Sequence, residues 1–417
     1  MTMNLKSLLQ GALVLSVSVL LLSQDVLAQG TTRAKKKDTE ETANQIDAGT
    51  GKILLAAYEF INKNQIPQAR AALADLKMDK LSPYERAQAE RMFISLDVTE
   101  EKYDSARKHM QAAIASGGLN EKEVSDMRYQ MAQLLVQEEK WKEGAAAIED
   151  WLKTAKSPNG SVYYLLGVCY YSMDNLDSAI PNMKKAVDST DKPLESWLAT
   201  YGSLLLQKER YKEALPVMER LVNGYPNQKK YWTQLSQLYS NLDDNKNALV
   251  VMQLANDAGL LTQGDELQRL ADLMSYADMP YSAAVFMQKG MDDKKIVTDQ
   301  KAWQRLGAFY TNAKEWKKAI AALEKSAQMS DSGNDYLQLG GLNMQLSQWD
   351  AAVVALEKAV SKGGLRDVDS ARFNIGYALY NLKKYPEALS WLEKVPPTGA
   401  SGKNAKSFIQ LIKTKMR

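Results

Sequence analysis

The chain has 417 residues, 45% apolar and 25% charged, with 53 Lys and Arg against 50 Asp and Glu (net +3), one His and one Cys. It is too polar and too evenly charged for a polytopic membrane protein, and too apolar for a disordered chain. One Cys excludes an intrachain disulfide framework and Cys-based metal centres, one His leaves too little for a histidine metal site or proton relay, and near-neutrality gives no reason to expect nucleic acid.

At the N-terminus, Lys6 precedes an apolar stretch from Leu8 to Leu22, interrupted only by Gln10, Gly11, Ser16 and Ser18. Val26-Leu27-Ala28 then supplies short residues at the positions a signal peptidase reads. This order predicts a secretory signal peptide over residues 1–28. About 15 residues is short for a spanning helix, which needs ~20, so an uncleaved anchor is the lesser reading. No Cys follows the cut to carry a lipid. Residues 29–50 hold Arg33, Lys35, Lys36 and Lys37, then Asp38, Glu40 and Glu41, without apolar periodicity, and predict a flexible mature N-terminus.

From about Thr50 the chain repeats itself. Trp303, Leu306, Gly307 and Tyr310 precede Trp316, Ala319 and Leu323; Tyr336, Leu339 and Gly340 precede Trp349, Ala352 and Leu356; Ile375, Gly376 and Leu379 precede Tyr385, Ala388 and Leu392. A small residue recurs at Ala69, Ala106, Gly144, Ala179, Ala214, Ala248, Ala283, Ala319, Ala352 and Ala388, at gaps of 33 to 38. The pattern resembles the tetratricopeptide repeat, a helical hairpin with a period of ~34 residues. The first two units and the seventh are degenerate.

The resemblance implies an all-α fold: a right-handed α-α solenoid of about ten helix pairs over residues 51–400, closed by a capping helix over 401–417. With the recurring small residue set at position 20, Gly167, Gly202, Gly307, Gly340 and Gly376 stand at position 8, where two helices must approach closely. Met183, Met218, Met252 and Met287 stand at position 24 and read as core filling, not as a metal-binding methionine box.

Little in the chain suggests chemistry. His109 reads as a helix-surface histidine and Cys169, between Val168 and Tyr170, as a buried inert thiol. The Gly117-Gly118, Gly340-Gly341 and Gly363-Gly364 pairs lack the strand–loop–helix setting of a phosphate cradle. Asp243-Asp244 and Asp292-Asp293 read as turn residues whose carboxylates cap helices. We expect no enzyme activity, no cofactor and no metal site. A carboxylate-based enzyme on the solenoid is the remaining alternative of another class.

In this repeat class, the ligand groove is lined by first-helix positions 2, 5, 9, 12 and 13. The resemblance therefore places in a protein-binding groove Tyr129, Gln133, Gln137, Tyr164, Tyr171, Gln207, Gln237, Asn241, Gln268, Tyr276, Gln304, Asn312, Gln345, Tyr377, Tyr380 and Asn381, together with Ser203, Thr233, Asp272, Lys301 and Phe373. Amides donate and accept hydrogen bonds and so suit an extended peptide backbone, while tyrosines add contact area at low entropic cost. Lys301 and Arg305 match half of the lysine/asparagine clamp by which some such domains hold a chaperone C-terminus. Thr233 and Gln237 stand where the other half is required.

A narrower likeness lies between Met218 and Ile296. Glu219-Arg220-Leu221-Val222 with Tyr225-Pro226, Tyr231-Trp232, Gly259-Leu260-Leu261-Thr262 and Pro280-Tyr281 resemble the periplasmic tetratricopeptide proteins that accompany TonB–ExbB–ExbD systems in Gram-negative bacteria. Those proteins often carry further cysteines, and only Cys169 occurs here. The likeness implies a periplasmic scaffold, with no membrane span once the signal is removed. It would grip an extended segment or linker of an envelope protein, as an accessory component of TonB-type transport. An adaptor for outer-membrane, pilus or cell-wall assembly is the alternative. The sequence leaves the oligomeric state open.

Overall fold

The computed structural model describes residues 45–416. The expected signal peptide, and most of the segment expected to be flexible, lie outside the described residues. Among the described residues there are twenty-one α-helices, one short 3-10 turn (Met78–Lys80) and no strand. None of these helices is long and apolar enough to cross a membrane. The sequence reading runs one solenoid from 51 to 400; the structure divides into two compact units, one ending at Gly224 and one beginning at Tyr225.

The first unit holds five hairpins: α1 (Ala48–Asn62) with α2 (Ile66–Ala74), α3 (Pro83–Thr99) with α4 (Tyr103–Ala115), α5 (Glu121–Gln137) with α6 (Trp141–Leu152), α7 (Gly160–Ser172) with α8 (Leu176–Asp188), and α9 (Glu195–Gln207) with α10 (Tyr211–Gly224). The second holds five more: α11 (Lys229–Asn241) with α12 (Asn245–Asp257), α13 (Gly264–Tyr276) with α14 (Pro280–Asp292), α15 (Gln300–Asn312) with α16 (Trp316–Met329), α17 (Asn334–Gln345) with α18 (Trp349–Lys362), and α19 (Val368–Asn381) with α20 (Tyr385–Leu392). A last helix, α21 (Gly399–Lys415), begins two residues before the expected cap and packs on α19 and α20.

The helices start where short polar side chains can satisfy their first N–H groups. Asp47, Asn159, Asn175, Asp244, Asp299 and Asp367 each accept a bond from a first-turn N–H. Ser82 with Glu85, and Asn120 with Glu123, form reciprocal capping boxes. Asp244 thus caps as expected, whereas Asp292 ends α14 and Asp293 follows it, where carbonyls and not N–H groups are left over. The expected flexible segment also ends earlier than residue 50. Ile46 is buried, and the Asp47 N–H donates to Glu85 Oε1 at 2.7 Å, so α1 is anchored from its first turn. Burial pushes Glu85 up, but the N–H groups of Asp47 and Ser82 outweigh it and hold the carboxyl below its ordinary range.

The ten small residues sit where the register requires. Nine are alanines with no exposed surface, and Gly144 is buried. In the five hairpins with glycine at position 8, that position meets position 24. A Cβ on Gly340 would lie 2.5 Å from Leu356 Cγ, one on Gly376 2.5 Å from Leu392 Cγ, and one on Gly307 2.8 Å from Leu323 Cδ2. Met183, Met218, Met252 and Met287 fill the same slot and are at most 1% exposed. Lysines two positions further on cover the first-helix aromatic at position 4: Lys185 over Tyr163 at 5.4 Å, Lys325 over Trp303 at 4.1 Å and Lys358 over Tyr336 at 5.6 Å.

A second register, not legible in the sequence reading, runs through the turns. Each hairpin is closed by three residues whose middle one is left-handed, with φ between 55° and 60°: Asn64, Glu101, Glu139, Asp174 and Glu209 in the first unit, and Asp243, Asp278, Lys314, Ser347 and Lys383 in the second. None is glycine. The third turn residue donates its N–H five residues back, as Gln65 does to Phe60 O at 2.8 Å and Glu315 to Tyr310 O at 2.9 Å, which satisfies a carbonyl at the end of each first helix. A side chain in this conformation costs about 1 kcal/mol that glycine avoids. Lys314 is exposed. Lys314→Gly is therefore expected to raise stability by up to about 1 kcal/mol, read as a higher denaturant midpoint; a lower midpoint would contradict the strain.

Candidate protein-binding surface

The first helices carry the residues expected to line a groove, and the structure sorts them into two sets. In the first unit, Tyr129 is half-buried, tilted on Trp151 with ring centres 4.8 Å apart, and its hydroxyl bonds Gln133. Burial pushes this phenol up to about 12. Tyr164 does not line a surface at all. It is 1% exposed, stacked on Trp197 at 5.8 Å, and its hydroxyl lies 3.2 Å from Thr200 Oγ1, because the next first helix covers it. Tyr171 and Ser203 are half-buried, and Gln137 and Gln207 are exposed.

In the second unit several expected contacts are already made within the chain. Gln268 accepts from Arg305 at 2.7 Å, and Arg305 Nε lies 3.3 Å from Asp272, so the arginine of the basic half-clamp faces its own chain. Burial raises Asp272 despite Arg305 and Arg269 nearby. Gln304 donates to Asp335 at 2.8 Å; that carboxylate is 2% exposed and also accepts from Gln300 and Ser326. Tyr377, Tyr380 and Phe373 meet the edge of Phe408 from α21 at 5.4–5.8 Å between ring centres, so the cap covers the last repeat's share of the surface. Asn381 donates to Tyr377 O at 2.9 Å. Thr233 is half-buried and donates to the Lys230 carbonyl at 2.9 Å.

What remains exposed stands at the ends of first helices in each unit, and within the second unit forms a row. Gln137 and Gln207 in the first unit, and Asn241, Tyr276, Asn312 and Gln345 in the second, are each the last residue of a first helix, one per hairpin. Tyr276 is 69% exposed. Gln237 lies one turn before Asn241 and donates to it at 3.0 Å, while Lys301 is exposed at the start of α15. The row offers neutral groups that donate and accept, with little charge. Two acidic residues that the sequence reading passed over, Glu90 and Asp97, are buried in α3 around His109. Their signal was carboxylates at positions 4 and 11, which most hairpins fill with aromatic or aliphatic side chains. Cys169 is fully buried, and burial pushes its thiol up to about 12. Among the described residues no group of three or more His, Cys, Asp and Glu is placed to hold a metal ion.

Comparison with known proteins agrees with this geometry. A family described as ChAPs (Chs5p-Arf1p-binding proteins) matches residues 78–287, half of the chain, and a tetratricopeptide repeat family matches residues 337–403. The chain belongs to the ChAPs family and is built of tetratricopeptide repeats. The binding of Chs5p and Arf1p that the family description records is a property of those proteins. Among solved structures, Naa15/Naa10 bound to HypK-THB is similar at 13% identity and a TM-score of 0.50, over 78% of this chain and 54% of that one. A tetratricopeptide repeat protein from Parabacteroides merdae ATCC 43184 is similar at 12% identity and a TM-score of 0.35, over 58% of this chain and 93% of that one. YrrB, a repeat protein with an unusual peptide-binding site, shares 19% identity at a TM-score of 0.33, over 45% and 90%. No curated protein sequence matches the chain. At these identities the likeness concerns the fold alone, a helical solenoid of tetratricopeptide type.

Proposed function

We propose that this chain is a periplasmic scaffold that holds an extended segment of an envelope protein against the ends of its first helices, as an accessory component of a TonB-type transport system. The observation that carries the binding mode is the exposed row of Asn241, Tyr276, Asn312 and Gln345, one per hairpin and largely neutral. Stacked helices stand about 8–10 Å apart, so such a row meets an extended chain every few residues and can pair with its backbone whatever its side chains. The signal-like residues 1–28 and the resemblance over 218–296 support the compartment and the system.

The test uses the mature chain from Gln29, titrated with the purified periplasmic segment of the TonB protein from the same organism. The triple variant N241A/N312A/Q345A is expected to bind at least tenfold more weakly, with its helix content unchanged by circular dichroism. Equal affinity of variant and wild type would remove the row as the site. Absence of binding to TonB, together with capture of pilus or cell-wall assembly proteins through the same row, would replace the transport reading with the assembly one.

A further inference from the structure

The second hairpin has a charged interior. Position 11, where other hairpins place Phe60, Leu135, Leu205 or Leu379, carries Asp97, which is 1% exposed; position 4 carries Glu90, 8% exposed. The chain's single histidine lies between them. His109 Nδ1 is 2.5 Å from Glu90 Oε2, its Nε2 is 3.7 Å from Asp97 Oδ2, and its ring stacks on Phe93 at 5.0 Å and 16°. Asp97 Oδ1 accepts from Arg70 of α2 at 2.5 Å, whereas Oδ2 is buried with no hydrogen-bond partner. Glu90 has no ion-pair partner other than His109 among the described residues.

The surrounding charges do not change this count. Arg70 is shared between Asp97 and Glu100, and Lys102 lies 3.2 Å from Glu100. On His109's own helix, Arg107 is turned to Asp104 and to Glu138 of α5, and Lys108 is exposed. Arg86 stands one turn before Glu90 on α3 but forms no ion pair among the described residues, so the two buried carboxylates are paired only with Arg70 and His109.

We propose that the charge on His109 is a latch that holds α4 closed on α3 within the second hairpin. An imidazolium donates from both ring nitrogens and can serve Glu90 and Asp97 Oδ2 together. A neutral ring donates from one nitrogen only and turns a lone pair toward the other carboxylate. A buried carboxylate that loses its cation is strongly destabilising. Imidazole is the side chain that ordinarily changes charge between pH 5 and 8. Because the charged form is the one that gains partners, closure is favoured on the acid side of that range and weakens as pH rises. This latch is independent of the exposed row and of any partner bound there.

Hydrogen exchange of the full mature chain at pH 5.5 and 8.0, corrected for intrinsic exchange, reads the latch directly. Protection over residues 83–115 is expected to fall at least fivefold at pH 8.0, while that over 160–188 does not change. H109Q is expected to lose the difference between the two pH values. Equal protection at both pH values in the wild type, or an undiminished difference in H109Q, would overturn the proposal. Should H109Q fail to fold, E90Q decides: its difference in protection over residues 83–115 between the two pH values is expected to shrink at least twofold, and an undiminished difference would overturn the latch.

Discussion

Gly333→Ala is expected to cost about 2–3 kcal/mol, the effect of overpacking against atoms that cannot rotate away. Gly333 caps α17, and its N–H donates to Gly363 O at 2.8 Å, so the loop after α16 lies directly on the end of α18. A Cβ there would sit 2.1 Å from the Ala359 carbonyl oxygen and 3.0 Å from that of Gly363. Both are main-chain atoms, and relief requires α18 itself to shift. Gly341 is the matched control. It lies inside α17 with nothing within 4 Å of its missing Cβ, so Gly341→Ala is expected to gain up to about 1 kcal/mol of helix propensity. Denaturant unfolding of the two variants separates them: the midpoint falls for Gly333→Ala and rises for Gly341→Ala. A fall for both would show that the loss came from something other than the clash.

Arg70→Ala is expected to cost about 3 kcal/mol, the lower end of the range for breaking a buried ion pair, because the guanidinium is partly solvated while its partner is not. The Arg70 side chain is 32% exposed and Asp97 2%. Removing the arginine takes the hydrogen-bonded cation from a carboxylate at a core position and leaves it only the more distant His109. If that is the origin of the loss, Arg70→Ala combined with Asp97→Leu recovers most of it, since leucine is what positions 135, 205 and 379 already hold. Unfolding of the two variants, followed by exchange over residues 48–115, checks this. A double variant no more stable than Arg70→Ala would show that the arginine acts through its contact with Glu100 instead.

Hairpin number and register were legible in the chain alone, and for a local reason. Within one hairpin, positions 8, 20 and 24 must pack on each other, so residue size there is dictated by partners 12 to 16 residues away in the same unit. Ten repetitions of that constraint leave a pattern, and Gly340 opposite Leu356 or Ala319 in a sealed core follows from it. The left-handed turn residues escaped notice because glycine is the residue such turns favour, and here Asn, Asp, Glu, Lys and Ser take its place.

The candidate surface was legible only in part. Repeat position named Gln304, Gln268 and Tyr164 as well as Asn312 and Gln345, yet a position number says only which way a side chain leaves its helix. Whether it stays free depends on the neighbour 31 to 37 residues away that arrives beside it: Asp335 for Gln304, Arg305 for Gln268, Thr200 for Tyr164. The same holds for Phe408 over Tyr377 and Tyr380, and for His109 between Glu90 and Asp97. Size periodicity thus determined the hairpins from the sequence. Polar pairing between hairpins has no period, because a hydrogen bond needs one particular donor at one particular distance, and so only the tertiary structure decided which polar groups are spent inside and which face outward.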